Sequence, residues 1–303
     1  MRLASATFLI ATVVVSQPTA FRVQVAGHGR PMILIPGLSS SGDTWQSTVE
    51  HYKDRFTCHT VTLAGFAGVP PTDGGPLLAS VRDQLAAYIE AQRLEKPIVV
   101  GHSLGGNVAM DLAARRPDLV GPLVIVDSLP FYANVMFHVD TAEAAKPMIE
   151  GMRGYLSALT RQQYDDYVRS HAATKFMVTK PADLERLTDW GLQSDPKTVY
   201  TAMFELYGSD LRSSLARISS PTLLLGTWIG IRDQAKQGNI DVTKENVIEA
   251  FRTQYAPLPR LHFALSESSR HFIMLDDPTW LYEQVDAFLA NPMDVTAERG
   301  FTR

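Results

Sequence analysis

The chain has 303 residues, 45% of them hydrophobic and 20% charged, with a formal net charge of −4. That composition belongs to a globular protein with a sizeable core and excludes a disordered chain or a coiled coil. The mildly acidic balance and the scattered basic residues exclude a nucleic-acid footprint.

The first segment, MRLASATFLIATVVVSQPTA, has one Arg, an apolar run from Leu3 to Val15, then small and polar residues. The run is short for a bilayer span and has the form of a secretory leader. Residues 1–20 are therefore expected to be a signal peptide, cleaved after Ser16 or Ala20, and the protein secreted or periplasmic. Without export it is cytoplasmic. FRVQVAG reads as a short strand, RPMILIPG as a continuous apolar strand and FTCHTVTLAGF as a third. The single cysteine, Cys58, lies in that third strand, which rules out an intramolecular disulfide and predicts a buried structural thiol. From Leu77 to Leu94, apolar residues at Leu78, Val81, Leu85 and Ile89 follow helical spacing. PIVVGHS is the next strand, followed by a helix from about Leu104 to Arg116 that Pro117 stops, and then by the strand GPLVIVDS.

Residues 130–215 carry no convincing strand but several helical stretches, among them AKPMIEGMRGYLSALTRQQYDDYVRS, and hold half of the ten methionines. The strand–helix pattern resumes with SPTLLLG, a helix near KENVIEAFRTQY, a strand RLHFALS and a last helix DPTWLYEQVDAFLA. Continuous apolar strands separated by helices predict an α/β fold: a mostly parallel sheet covered on both faces. The expected domains are a core in two parts, 21–129 and 216–303, interrupted by a helical lid over 130–215.

Gly101-His102-Ser103-Leu104-Gly105 fits G-x-S-x-G and stands between a predicted strand and a predicted helix. A Gly-rich turn with a capping serine is the plain alternative. In the functional reading the glycines let the chain turn tightly enough to hold Ser103 exposed and strained, while the helix starting at Leu104 points its amides at developing negative charge. A serine nucleophile needs a base. Of eight histidines, His271 in SSRHFIMLDDP is placed for it, in a loop between the last strand and the last helix. His102 belongs to the turn and is expected to pack there instead of reacting as the base.

On GHSLGG as nucleophile elbow, LIPGLSSSGDTW as oxyanion loop and RHFIMLDDP as histidine loop, the sequence resembles the α/β-hydrolase fold family, specifically its lid-bearing, esterase-like members. The resemblance covers nearly all of the chain after the leader. It implies an oxyanion hole from the backbone N–H groups of Leu38 and Leu104. Many relatives have His-Gly where this chain has Pro36-Gly37, a departure that touches loop geometry more than chemistry. The triad acid is left open. Most relatives place it after the strand equivalent to TLLLG, where this chain has Ile229 and offers its first carboxylate only at Asp233. A second family arrangement places it after the preceding strand, where LVIVDSLP supplies Asp127. Asp127 is the first candidate and Asp233 the alternative.

The implied activity is hydrolysis of small or medium, hydrophobic carboxylic esters, carboxylesterase-like. Phe131, Tyr132, Met136, Met148, Met152 and Tyr155 of the lid are candidates for an apolar pocket, although most such residues simply pack. Gly37, His102, Phe131 and Met136 are the substrate contacts selected. A proline-type aminopeptidase (with Glu150, Asp165 or Asp166 as amine anchor), a lactonase and a C–C hydrolase share the same triad. A ligand-binding protein with slow turnover is the non-enzymatic alternative. No zinc or calcium spacing and no phosphate loop is present, so no metal or cofactor is expected, and the partner is a small-molecule substrate without nucleic acid or stable membrane insertion.

Overall fold

A computed structural model describes residues 20–72 and 75–293. Among these residues seven strands form one sheet: β1 (Phe21–Gly27), β2 (Arg30–Ile35), β3 (Phe56–Leu63), β4 (Ile98–His102), β5 (Leu123–Val126), β6 (Thr222–Gly226) and β7 (Leu261–Leu265). Their order is β1-β3-β2-β4-β5-β6-β7, with β1 antiparallel to β3 and every other pair parallel. The mostly parallel α/β sheet expected from the sequence is present. Its apolar runs are continuous because both faces are buried: Ile33, Ile35, Val99, Leu123 and Ile125 enter one core, and Met32, Leu34, Val100, Val124 and Val126 enter the other.

Among the described residues twelve α-helices follow in chain order: α1 (Gln46–Tyr52), α2 (Leu77–Ala91), α3 (Leu104–Arg115), α4 (Tyr132–Phe137), α5 (Ala142–Leu156), α6 (Arg161–Arg169), α7 (Pro181–Gln193), α8 (Pro196–Gly208), α9 (Ile229–Gln237), α10 (Lys244–Tyr255), α11 (Ile273–Asp276) and α12 (Pro278–Ala290). Helices α2, α3 and α10 cover the first core, and α1, α11 and α12 the second. Helices α4–α8 lie between β5 and β6 and enclose a third cluster around Phe131, Ile149, Tyr164, Tyr200 and Phe204. One predicted helical stretch divides into α5 and α6, because Thr160 and Gln163 form a reciprocal capping box that starts a new helix.

This helical segment is anchored to the core. Glu205 on α8 accepts the Leu77 and Leu78 amides at 2.9 and 2.8 Å, satisfying the start of α2, where Pro76 offers no side-chain cap. Cys58 is buried, and burial pushes its thiol up to about 11, so it is an inert core residue. The predicted leader lies outside the described residues, apart from Ala20.

Candidate active site

Ser103 joins β4 to α3 with φ +52° and ψ −121°, a region costly for any residue with a Cβ. Its neighbours explain how the chain holds it there. A Cβ on Gly101 would fall 2.3 Å from the Gly105 carbonyl oxygen, and one on Gly105 would fall 2.5 Å from those of both Ile35 and Pro36. The Ser103 N–H donates to Val126 at 3.0 Å, and its carbonyl accepts from the Gly106 and Asn107 amides. Only 8% of Ser103 is exposed.

Two backbone segments border it. Leu104 is the first residue of α3, where a helical amide has no intrahelical acceptor. The loop after β2 presses on the serine from the other side, since a Cβ on Gly37 would come 3.2 Å from Ser103 Cβ and 2.9 Å from His102 Nδ1. Leu38 follows; its carbonyl is held by the Ser40 hydroxyl at 3.1 Å, which fixes the loop beside the serine.

His271 Nδ1 lies 2.6 Å from Asp127 Oδ2. Asp127 is pinned on both oxygens: Oδ1 accepts the Thr227 N–H at 3.0 Å and Oδ2 the Thr227 hydroxyl at 2.9 Å. Asp233 occupies a different place. It accepts from Arg232 at 2.8 Å and from Arg270 at 3.0 Å. Burial would raise its pKa, but these arginine bonds outweigh burial and hold the carboxyl below its usual range. Of the two carboxylates the sequence leaves open, Asp127 is the one brought to His271. Asp233 instead braces Arg270, the residue before the histidine, whose guanidinium also donates to the Lys175 and Val178 carbonyls.

Two of the expected substrate contacts are enclosed. His102 is fully buried, its ring 4.6 Å from that of His271 and 4.5 Å from that of Phe272. With Nε2 assigned as donor it bonds the His271 carbonyl at 3.1 Å, so it steers the histidine loop instead of facing a ligand. Phe131 is fully buried beneath the Arg212 guanidinium, 4.5 Å from its ring centre, and packs inside the helical cluster. Gly37 lies against Ser103 as described, and Met136 is exposed on α4. Thr227, Ser128 and Arg270 were missed by sequence reasoning. For Thr227 the signal is the parallel register of Val126 with Leu225, which sets the end of β6 beside Asp127.

Burial holds His102 far below the usual histidine range, with the nearby His271 adding to the effect, and burial also lowers His59. His102 resists protonation in the fold strongly and His59 less so, and both take up protons more readily on unfolding below about pH 6.5. Their contribution is therefore fully present above that pH and lost as pH falls. Urea titrations should show stability falling by up to about 2.7 kcal/mol per pH unit below it. Unchanged stability from pH 7 to 5 would contradict this.

Two surface hollows of about 320 Å³ each are lined by residues such as Asp43, Gln46 and Glu50, beside α1 and away from Ser103. Among the described residues no group of three or more His, Cys, Asp or Glu could hold a metal, and no helix is long and apolar enough to cross a membrane.

A strained serine beside an Asp–His pair on a parallel sheet is the arrangement of an α/β-fold serine hydrolase. The chain belongs to the alpha/beta hydrolase family, whose model matches residues 32–284, and it is an enzyme of the ester-cleaving class. It is 31% identical over 210 residues to a pimeloyl-[acyl-carrier protein] methyl ester esterase of Vibrio parahaemolyticus, covering 67% of this chain and 76% of that one. A namesake from Nitrosomonas europaea is 26% identical, with coverages of 68% and 79%. Among solved structures, a thermophilic esterase from Thermogutta terrifontis superposes with a TM-score of 0.72 at 19% identity, covering 90% of this chain and 93% of that one. The enol-lactonase from Burkholderia xenovorans gives 0.68 at 14%, with coverages of 89% and 96%. These two likenesses show the shared fold.

Proposed function

We propose that the protein hydrolyses small or medium, hydrophobic carboxylic esters through an acyl-enzyme on Ser103. The observation that carries this reading is the 2.6 Å bond between His271 and Asp127 beside the strained serine. Ser103 Oγ attacks the ester carbonyl and gives its proton to His271, and the Leu38 and Leu104 amides hold the oxyanion. Asp127 fixes the histidine tautomer and stabilises the imidazolium. Collapse breaks the bond to the alcohol, which leaves with the proton from His271. A water then loses a proton to His271, attacks the acyl carbon, and the carboxylic acid departs as Ser103 regains its proton.

The segment 130–215 acts as the lid and lines the substrate pocket. It carries nine Lys and Arg against eleven Asp and Glu, with no large excess of either sign. The substrate proposed here is a free ester, in contrast to the carrier-bound ester in the names of the relatives. The acids considered as amine anchors are engaged: Glu150 pairs with Arg153, Asp165 with Arg161, and Asp166 accepts from Gln162. That disfavours an aminopeptidase. The same reading takes the leader as an export signal and the protein as secreted or periplasmic. Ala20 is fully buried, donates to Gln84 and accepts from Ala64, so cleavage after Ser16 retains a residue the fold uses.

Rates on p-nitrophenyl esters of increasing acyl length test the substrate class. The expected kcat/KM peaks at about eight carbons or fewer, with lactones and amides slower, and a methyl ester is cleaved as well free as when attached to a carrier protein. A hundredfold preference for the carrier-bound ester, or for amides, would overturn the proposal.

A further inference from the structure

The chain from β5 into α4 meets the nucleophile a second time. Ser128 donates to the Ser103 carbonyl at 2.7 Å, and Tyr132, the first residue of α4, donates its phenol to Ser128 Oγ at 3.2 Å. The same phenol interacts with the Ser103 side chain. The segment is held from several sides. Tyr255 donates to the Ser128 carbonyl at 2.8 Å, Asn107 to the Leu129 carbonyl at 3.3 Å, and the Phe131 N–H to Gln254 at 3.1 Å. Ser128 packs so closely on the elbow that a Cβ on Gly106 would fall 2.5 Å from its own.

We infer that Tyr132 is a further catalytic residue, whose hydroxyl hydrogen-bonds Ser103 Oγ as that oxygen leaves the acyl group in deacylation. This rests on the reading of Ser103 as nucleophile. The phenol has one proton and two neighbouring acceptors. Because Ser128 spends its own proton on the Ser103 carbonyl, its oxygen is free to accept the phenol in the resting state. When the C–Oγ bond breaks, charge grows on Oγ, and hydrogen bonds to charged acceptors are roughly twice as strong as neutral ones. The phenol then turns to Oγ, a contact stronger in the transition state than in the ground state, which is the condition for raising kcat. His271 delivers the proton to Oγ, and Tyr132 keeps its own. Burial pushes the phenol up to about 12, so it remains protonated, and a donor, through the neutral range. During acylation the same bond would stabilise Oγ and blunt its attack at once, so that step changes little.

Tyr132→Phe, assayed with a p-nitrophenyl ester whose acylation is fast, tests this. The expected result is a tenfold fall in kcat with a parallel fall in KM, leaving kcat/KM unchanged within twofold. The acyl-enzyme should accumulate in intact-protein mass spectra, and fluorophosphonate should label Ser103 at the wild-type rate. An unchanged kcat, or kcat/KM falling as far as kcat, overturns the assignment. If the phenylalanine variant does not fold, 3-fluorotyrosine at position 132 supplies a more acidic donor of the same shape. It should speed deacylation, and an equal or slower rate contradicts the proposal. Failure of wild-type Ser103 to be labelled would be a different result, overturning the nucleophile itself.

Discussion

Asp127→Asn is expected to lower kcat by about four orders of magnitude, the effect of leaving a catalytic histidine in the wrong tautomer. Asparagine keeps the size of the side chain but can offer its NH2 to His271 Nδ1, reversing the donor in the 2.6 Å bond. It also weakens the two acceptances from Thr227 that hold the side chain in place. Asp233→Asn provides the contrast. Its arginine pairs with Arg232 and Arg270 are partly exposed, so their loss should cost stability of about 1 kcal/mol or less and alter kcat by threefold at most. Steady-state kinetics on both variants with one ester decides the matter. Equal, near-wild-type rates would remove both carboxylates from the mechanism.

Ser103→Ala and His271→Ala should each cost about six orders of magnitude in kcat, and the double variant should be no worse than either alone. The two side chains act as a unit in one proton transfer, so removing the second has nothing left to remove. Residual hydrolysis above the uncatalysed rate should survive, because the Leu38 and Leu104 amides proposed for the oxyanion belong to the backbone and remain. Multiplying losses in the double variant would mean that the two residues contribute separately.

Much of this site is legible in the sequence because its geometry is local. The apolar run into Gly101, the glycines around Ser103 and the helix from Leu104 define a strand–turn–helix in consecutive residues. The choice between Asp127 and Asp233 is not local. It depends on which strand ends beside the histidine loop, and only the register of β5 with β6 supplies that. Helix α1 is seven residues long and begins at a tryptophan without a side-chain cap, so it leaves little periodic signal. Helix α9, IGIRDQAKQ, is mostly polar and buries only Gly230, so periodicity does not reveal it either. Phe131 and His102 look like pocket residues by type and position. Whether a ring faces a ligand or a packed interior is decided by the elements that close over it, here Arg212 for Phe131 and the histidine loop for His102. The polar chain from Tyr132 through Ser128 escaped for the same reason: it depends on α4 folding back onto the elbow.

The measurement to make is fluorophosphonate labelling of the purified protein, with the adduct located by peptide mass spectrometry. A single stoichiometric adduct on Ser103, lost in Ser103→Ala and strongly slowed in Asp127→Asn, is the expected result. Folded protein that takes no label, or takes it at another residue, would contradict an activated Ser103 and leave a ligand-binding role for the fold.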